Sequence, residues 1–385
     1  MENNVTTQNE QVCGQVSGQG GTVTVKPSPE ERREIRKQYS KTALVLLLNI
    51  VIFNVLSQLI LRIGCMIYGG GFSFEAFQKG AMAFTENELL STVFSCMTPI
   101  ISETAAILTG LKILKFTPPD FKKLSTRDGY GGGTVAKLVT LCIGLQTAAA
   151  LLTQIITMIL DSFGLKGRTI DLSATTSFGA NLFMFFYACL LGPVLEELLY
   201  RGVLLQSMRK YNERFAIFLS AVIFGLMHEN YQQFILGFLL GIPLAVVAVK
   251  YNSLVPSIIT HIIVNTTASV SNVIMQYFAP TVYENALSGG EIDISALSGT
   301  DWVVLGINMV FRFGFAIAGL VVGIICLVKG KNMSKPTPAG KSRAFPVMMT
   351  SIPWIIIFVV YAYLSFVEPF MSMTLWDRIF VSLVK

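Results

Sequence analysis

Apolar positions gather into successive segments at about 43–68, 91–114, 134–160, 179–208, 214–228, 232–250, 254–278, 302–329 and 345–367, with polar or charged connections between them. Most run for roughly 20 residues almost without charge, the length a helix needs to cross about 30 Å of hydrocarbon. Within lipid a spanning segment must satisfy its own backbone, which leaves helices or closed barrels, and the alternating pattern of barrel strands is absent. The pattern predicts an all-α fold, a polytopic transmembrane bundle of about eight or nine helices. Ahead of it, residues 1–41 are rich in Gly, Gln, Asn, Thr and Ser and then in charge, with too few apolar groups to offset the entropy of ordering. A disordered tail ending in a short charged helix is expected there.

Composition agrees. Hydrophobic residues make up 52% of the chain and charged residues only 14%, and the mean hydropathy is +0.61. Such a balance excludes an ordinary soluble or disordered protein. The net charge of +6 is not laid out as a basic surface with interleaved aromatics, so nucleic-acid binding is not expected. It falls instead in alternate connections: Arg32, Arg33, Arg36, Lys37 and Lys41; Lys112, Lys115, Lys122, Lys123 and Arg127; Arg209, Lys210 and Arg214; Lys250; and Lys329, Lys331, Lys335, Lys341 and Arg343. The stretch 279–301 carries Glu284, Glu291, Asp293 and Asp301 instead. Positive-inside reasoning puts the N-terminus in the cytoplasm, in a multi-pass protein of the plasma membrane. The six cysteines are scattered, so neither a disulfide framework nor a zinc knuckle follows, and no signal peptide is expected from the polar start. The run Gly129–Tyr130–Gly131–Gly132–Gly133 lacks the Lys-Ser/Thr of a phosphate loop and reads as a flexible connector.

Ionisable groups inside apolar segments are costly and usually face a bundle interior or a wet cavity. The segment 179–208 holds Glu196, Glu197 and Arg201; 214–228 ends F-G-L-M-H at His228; 254–278 holds His261 and Asn265. Glu197 and Arg201 share a helix face, as do His261 and Asn265. Counted from the turn near Tyr211, Glu196 and His228 lie about 22 to 26 Å in, and from the turn near Asn252, His261 and Asn265 lie about 14 to 20 Å in. One carboxylate, two imidazoles and an amide can therefore meet in one membrane layer.

That set suits hydrolysis. Glu196 beside His228 can polarise a water and take its proton. His261 and Asn265 present N–H donors to the oxyanion formed when water attacks a carbonyl. Glu197 is placed to neutralise Arg201 and fix the helix. The same Glu196, His228 and His261 would also form a His2Glu set able to hold Zn²⁺ with an open water position, and spacing alone does not separate the two options. The helical H-E-x-x-H motif is excluded, because position 232 is Gln.

The ordered motifs E-E-x-x-x-R (Glu196, Glu197, Arg201), F-x-x-x-H (Phe224, His228) and H-x-x-x-N (His261, Asn265) resemble the CPBP family, the CAAX-protease and bacteriocin-processing group of intramembrane endopeptidases, also called Abi proteins. The resemblance covers about 180–275. It implies a helical intramembrane peptidase in which Glu196 and His228 activate water with His261 and Asn265 as partners, acting on peptide or protein substrates in or at the bilayer. Both metal-dependent and glutamate-only mechanisms are compatible with these residues, the second being slightly preferred because Asn265 is a natural hydrogen-bond donor and a poor zinc ligand. Four regions follow: the tail 1–41, N-terminal membrane helices 42–178, a catalytic helical core 179–278, and a loop with C-terminal membrane helices 279–385.

Two rival classes use similar residues. A non-catalytic immunity, resistance or scaffold protein would keep the fold, and a proton-coupled transporter would also bury Glu, His and Arg, although repeated halves with broken helices are absent. Glu103, also within a span, can pair with an arginine or line the cavity, pairing being preferred; Arg62 and Arg312 are the other charges at such depth. The Phe-rich stretch 71–77 reads as an interfacial anchor.

Overall fold

The computed structural model describes residues 28–71, 86–116, 124–126, 129–165, 177–288, 294–329 and 344–371, with single positions between 72 and 85. Among them there are helices and no strands. We number the helices α1 (Pro29–Gly69), α2 (Glu88–Ile113), α3 (Gly132–Ser162), α4 (Phe178–Arg209), α5 (Glu213–Leu226), α6 (Tyr231–Tyr251), α7 (Val255–Phe278), α8 (Pro280–Ser288), α9 (Gly299–Lys329), α10 (Ala344–Met348) and α11 (Ile352–Phe366). Eight of these are long and apolar enough to cross a membrane: α1, α2, α3, α4, α6, α7, α9 and α11.

The starts follow local chemistry. Ser28 and Glu31 form a reciprocal capping box on α1, with Pro29 in its first turn. Asn87, Asn212 and Asn230 each accept a backbone N–H at the start of α2, α5 and α6. The charged helix expected at the end of the tail is there, but it is not a separate element: residues 29–41 are helical and continuous with the first span. The rest of the tail, the basic stretch 330–343 and most of the Phe-rich stretch lie outside the described residues. Gly132 and Gly133, expected in a connector, form the first turn of α3 behind Gly131 at its cap.

Helices α1, α2, α4, α5, α6, α10 and α11 enclose the larger apolar core, and α3 joins it to α7 and α9 through α6. The tightest seam is α5 against α6. A Cβ placed on Gly237 would lie 2.9 Å from the Cα of Gly225, and one on Gly241 would lie 2.9 Å from the Cα of Ala221. Small residues four apart on each helix thus bring the backbones together, the usual way membrane helices gain close packing. By contrast α9 touches mainly α3, at a Gly144–Gly319 crossing, and turns Val310 and Ile317 outward as lipid-facing side chains would be.

The connections after α2, α4 and α6 meet at one end of the bundle. Leu254 N–H donates to the Leu124 carbonyl at 2.8 Å, Ser253 Oγ to the Thr126 carbonyl at 2.6 Å, and Arg209 to Asn252 Oδ1. Three of the basic connections are therefore on one face, as the charge pattern requires. The remaining apolar segment, 214–228, becomes α5, which at 14 residues is about 21 Å long and too short to cross. Its turn into α6 is reached within the thickness of a bilayer. Non-helical backbone is tolerated there only when buried in protein or lining a wet cavity.

Candidate active site

Helix α4 is wound unevenly. It is π-helical over Tyr187–Leu191 and again over Glu197–Leu205, with a short α-turn, Gly192–Glu196, between. π-turns leave carbonyls that side chains must satisfy and occur often at functional sites. Here Asn265 Nδ2 donates to the Ala188 carbonyl at 2.9 Å, Ser220 Oγ to Tyr200 at 3.1 Å, and Gln206 Nε2 to Arg201 at 3.2 Å. The winding turns Glu196 and Glu197 toward α7.

Glu197 and Arg201 are completely buried and paired at 2.8 Å. The same carboxylate oxygen also accepts from His261 Nδ1 at 3.1 Å, while the other ring nitrogen, Nε2, lies 3.7 Å from Glu196 Oε2. His261 is thus held between two adjacent carboxylates. Glu197 does more than neutralise its arginine: its acceptance of Nδ1–H fixes the imidazole's tilt and leaves Nε2 facing Glu196. Arg201 is further held by Nη2 donating to the Gly241 carbonyl at 3.4 Å and by the Phe224 ring 4.0 Å from its guanidinium carbon. The close α5–α6 seam is what brings that carbonyl within reach.

Phe224 sits at the centre. It meets His228 and His261 edge-on, both at 5.6 Å between ring centroids. His228 donates Nδ1–H to the Phe224 carbonyl at 3.0 Å. Because a carbonyl can only accept, the neutral ring presents Nε2 as a lone pair. Asn265, expected beside His261 as an amide donor, uses one N–H on Ala188; its second N–H is what it has to offer a ligand.

The residues matched to these helices decide the family. Residues 178–267 match the family model described as Rce1-like, type II CAAX prenyl endopeptidase Rce1-like. The chain carries a CPBP-family domain. No curated protein and no solved structure gives a significant match. The CPBP domain contains Glu196, Glu197, Arg201, Phe224, His228, His261 and Asn265, and spans α4 to the first half of α7. Its family supports intramembrane endopeptidase activity, that is, a protease and hydrolase working on membrane-associated peptides.

A cavity of about 280 Å³ opens between the CPBP domain and the helices around it. Glu196 and Tyr187 of α4 and Met227, His228 and Glu229 of the α5–α6 turn line one side; Asn49 of α1, Glu103 of α2 and Tyr361 of α11 line the other. The turn backbone at membrane depth therefore borders a cavity into which several polar side chains are set. A larger cavity of about 360 Å³ lies at the basic end, against Lys115, Arg209 and Lys210, and holds none of the motif residues. The expectation for Glu103 is corrected: it forms no ion pair among the described residues, Arg62 bonding instead to Gln58 and Arg312 to Asn308. Glu103 faces the cavity because α2 packs against both α1 and α4, a relation that its own segment does not encode.

The fit to a metal ion can be read from the donors. Among the described residues no three His, Cys, Asp or Glu side chains are arranged to hold one. His261 Nδ1 is engaged by Glu197 and His228 Nδ1 by a backbone carbonyl, which leaves each Nε2 open, but the three donors are not grouped around one point. The His2Glu arrangement that the spacing allows does not fit as these side chains stand.

Proposed function

We propose that the chain is an intramembrane endopeptidase in which Glu196 and His228 activate a water for attack on a peptide carbonyl, in the plasma membrane with the basic end of the bundle in the cytoplasm. The observation that carries this reading is the shared cavity: Glu196 and His228 line the same space inside an apolar bundle, with His261 Nε2 3.7 Å from the Glu196 carboxylate. Glu196 takes a proton from water while His228 Nε2 accepts from the same molecule and orients it. The hydroxide adds to the carbonyl carbon. The oxyanion is stabilised by N–H donors from α7, His261 Nε2 when that nitrogen is protonated and the second N–H of Asn265. Glu197 and Arg201 hold this assembly in place without touching substrate.

For substrate, the family description favours a prenylated C-terminal peptide, whose lipid would lie in the bilayer while its peptide enters the cavity. The test uses purified protein in liposomes with a prenylated fluorogenic peptide and, in parallel, an unlipidated transmembrane peptide. Wild type should cleave the first. Glu196→Gln should lower the rate by roughly 10² to 10⁴-fold with unchanged helical content and thermal unfolding. Cleavage of neither peptide by the wild type, or full activity in Glu196→Gln, would overturn the reading.

A further inference from the structure

Glu103 is 2% exposed, its Oε2 has no hydrogen-bond partner, and it lines the cavity opposite the motif residues. It lies outside the matched domain, so none of the three motifs accounts for it. The groups it faces are Glu196, Tyr187 and Tyr200 of α4, His228 and Glu229 of the turn, and Tyr361 of α11; no lysine or arginine lines the space. Glu103 and Glu196 line the same cavity from opposite sides, and a carboxyl buried without a counter-charge is the one suited to hold a proton. Glu196 has an imidazole nitrogen within 3.7 Å to balance it, whereas Glu103 has none. On the same wall Asn49 leaves its Oδ1 unpartnered, an acceptor suited to an N–H.

We propose that Glu103 is the acid of the reaction, holding the proton that the departing nitrogen takes up, and that the α1–α2 wall is the leaving-group side of the site. The inference rests on the endopeptidase reading. Water gives one proton to Glu196 and its hydroxide bonds to the carbonyl carbon. The C–N bond then breaks as nitrogen takes the proton of Glu103, giving a carboxylic acid and an amine. The proton on Glu196 returns through water in the cavity to Glu103, and both groups are restored. Asn49 Oδ1 accepts the N–H that the nitrogen already carries and so aims its lone pair at Glu103.

The test compares wild type, Glu103→Gln, Glu103→Asp and Glu196→Gln in liposomes on two substrates, the prenylated peptide and its activated aryl ester, whose leaving group needs no proton. Glu103→Gln should lose roughly 10² to 10⁴-fold in peptide cleavage, keep ester cleavage near wild type, and lose the fall in rate on the alkaline side that a required acid produces. Glu196→Gln should lose both substrates, and Glu103→Asp should recover part of the peptide rate with the alkaline fall restored. Wild-type peptide cleavage by Glu103→Gln, or equal loss on peptide and ester in a folded protein, overturns the proposal. If Glu103→Gln does not fold, an Asp variant that loses ester and peptide equally does the same. Cleavage of neither substrate by wild type would sink the endopeptidase reading instead; the infrared difference between wild type and Glu103→Gln then still reports the proton, since a protonated-carboxyl band present only in wild type is expected and its absence rejects the assignment.

Discussion

The two sides of the cavity treat their buried carboxyl groups differently: Glu197 and Glu103 each leave an oxygen unpartnered, but only Glu197 is held by a cation. On the CPBP side Glu197 is shared by Arg201 and His261, and Arg201 is closed in by Gly241 and Phe224. Glu103 and Asn49 on the facing wall each leave an oxygen without a partner. Burying a charge unpaired costs several kcal/mol, so the first arrangement fixes geometry, whereas the second leaves capacity for something that is not protein. A motif-bearing side whose carboxylate is paired to a cation and a wall whose carboxyl is not together describe a site built to hold its own parts still while accepting a ligand from one direction.

That contrast can be broken most severely at Arg201. Arg201→Ala should cost about 3 to 5 kcal/mol by stranding Glu197 in the core, read as a large fall in thermal unfolding temperature in lipid, while Glu103→Gln should leave that temperature nearly unchanged. Comparable destabilisation by both would erase the distinction. His261 belongs to both descriptions, since one nitrogen is tied and the other faces Glu196. His261→Ala should cost roughly 100 to 1,000-fold in rate, with a residual activity indifferent to chelators; activity lost to chelation and recovered with added metal would point to a rearranged metal centre. The smallest effect is expected at the seam. Gly241→Ala forces a methyl against the Ala221 backbone and should cost about 1 to 3 kcal/mol, and a variant as stable as wild type would show that the close approach is not what delivers the Gly241 carbonyl to Arg201.

Much of this was legible in the chain. Long uncharged runs identify spans because lipid leaves the backbone so few options, and the depth arithmetic brought Glu196 and His261 to the same layer, where their side chains lie 3.7 Å apart. What was not legible is relational. Glu103 looks the same in sequence whether it meets an arginine or a cavity, because that depends on which face of α2 meets α1 and α4. Glu197 reads as a simple i,i+4 pair, and its second partner comes from another helix. The Gly237 and Gly241 spacing, four apart on α6 and matched by Ala221 and Gly225 on α5, is a signal that could have found the tight seam in advance. The first widened turn of α4 has a local signature in Gly192–Pro193, since a proline inside a helix lacks an N–H and crowds the turn before it; the second, over Glu197–Leu205, is not marked in that way.

Those widened turns set the rotational phase of everything beyond them. A π-turn accommodates more residues per revolution than the 3.6 of an α-turn, and each residue advances an α-helix by roughly 100°. If Tyr187–Leu191 were rewound as α with no residue removed, Glu196, Glu197 and Arg201 would swing together by roughly that angle around the axis of α4 relative to the preceding turns. Glu197 would then face away from His261 while every residue of the motifs was still present and in order. The chemistry of the CPBP domain therefore depends on how a segment holding none of the three motifs is wound.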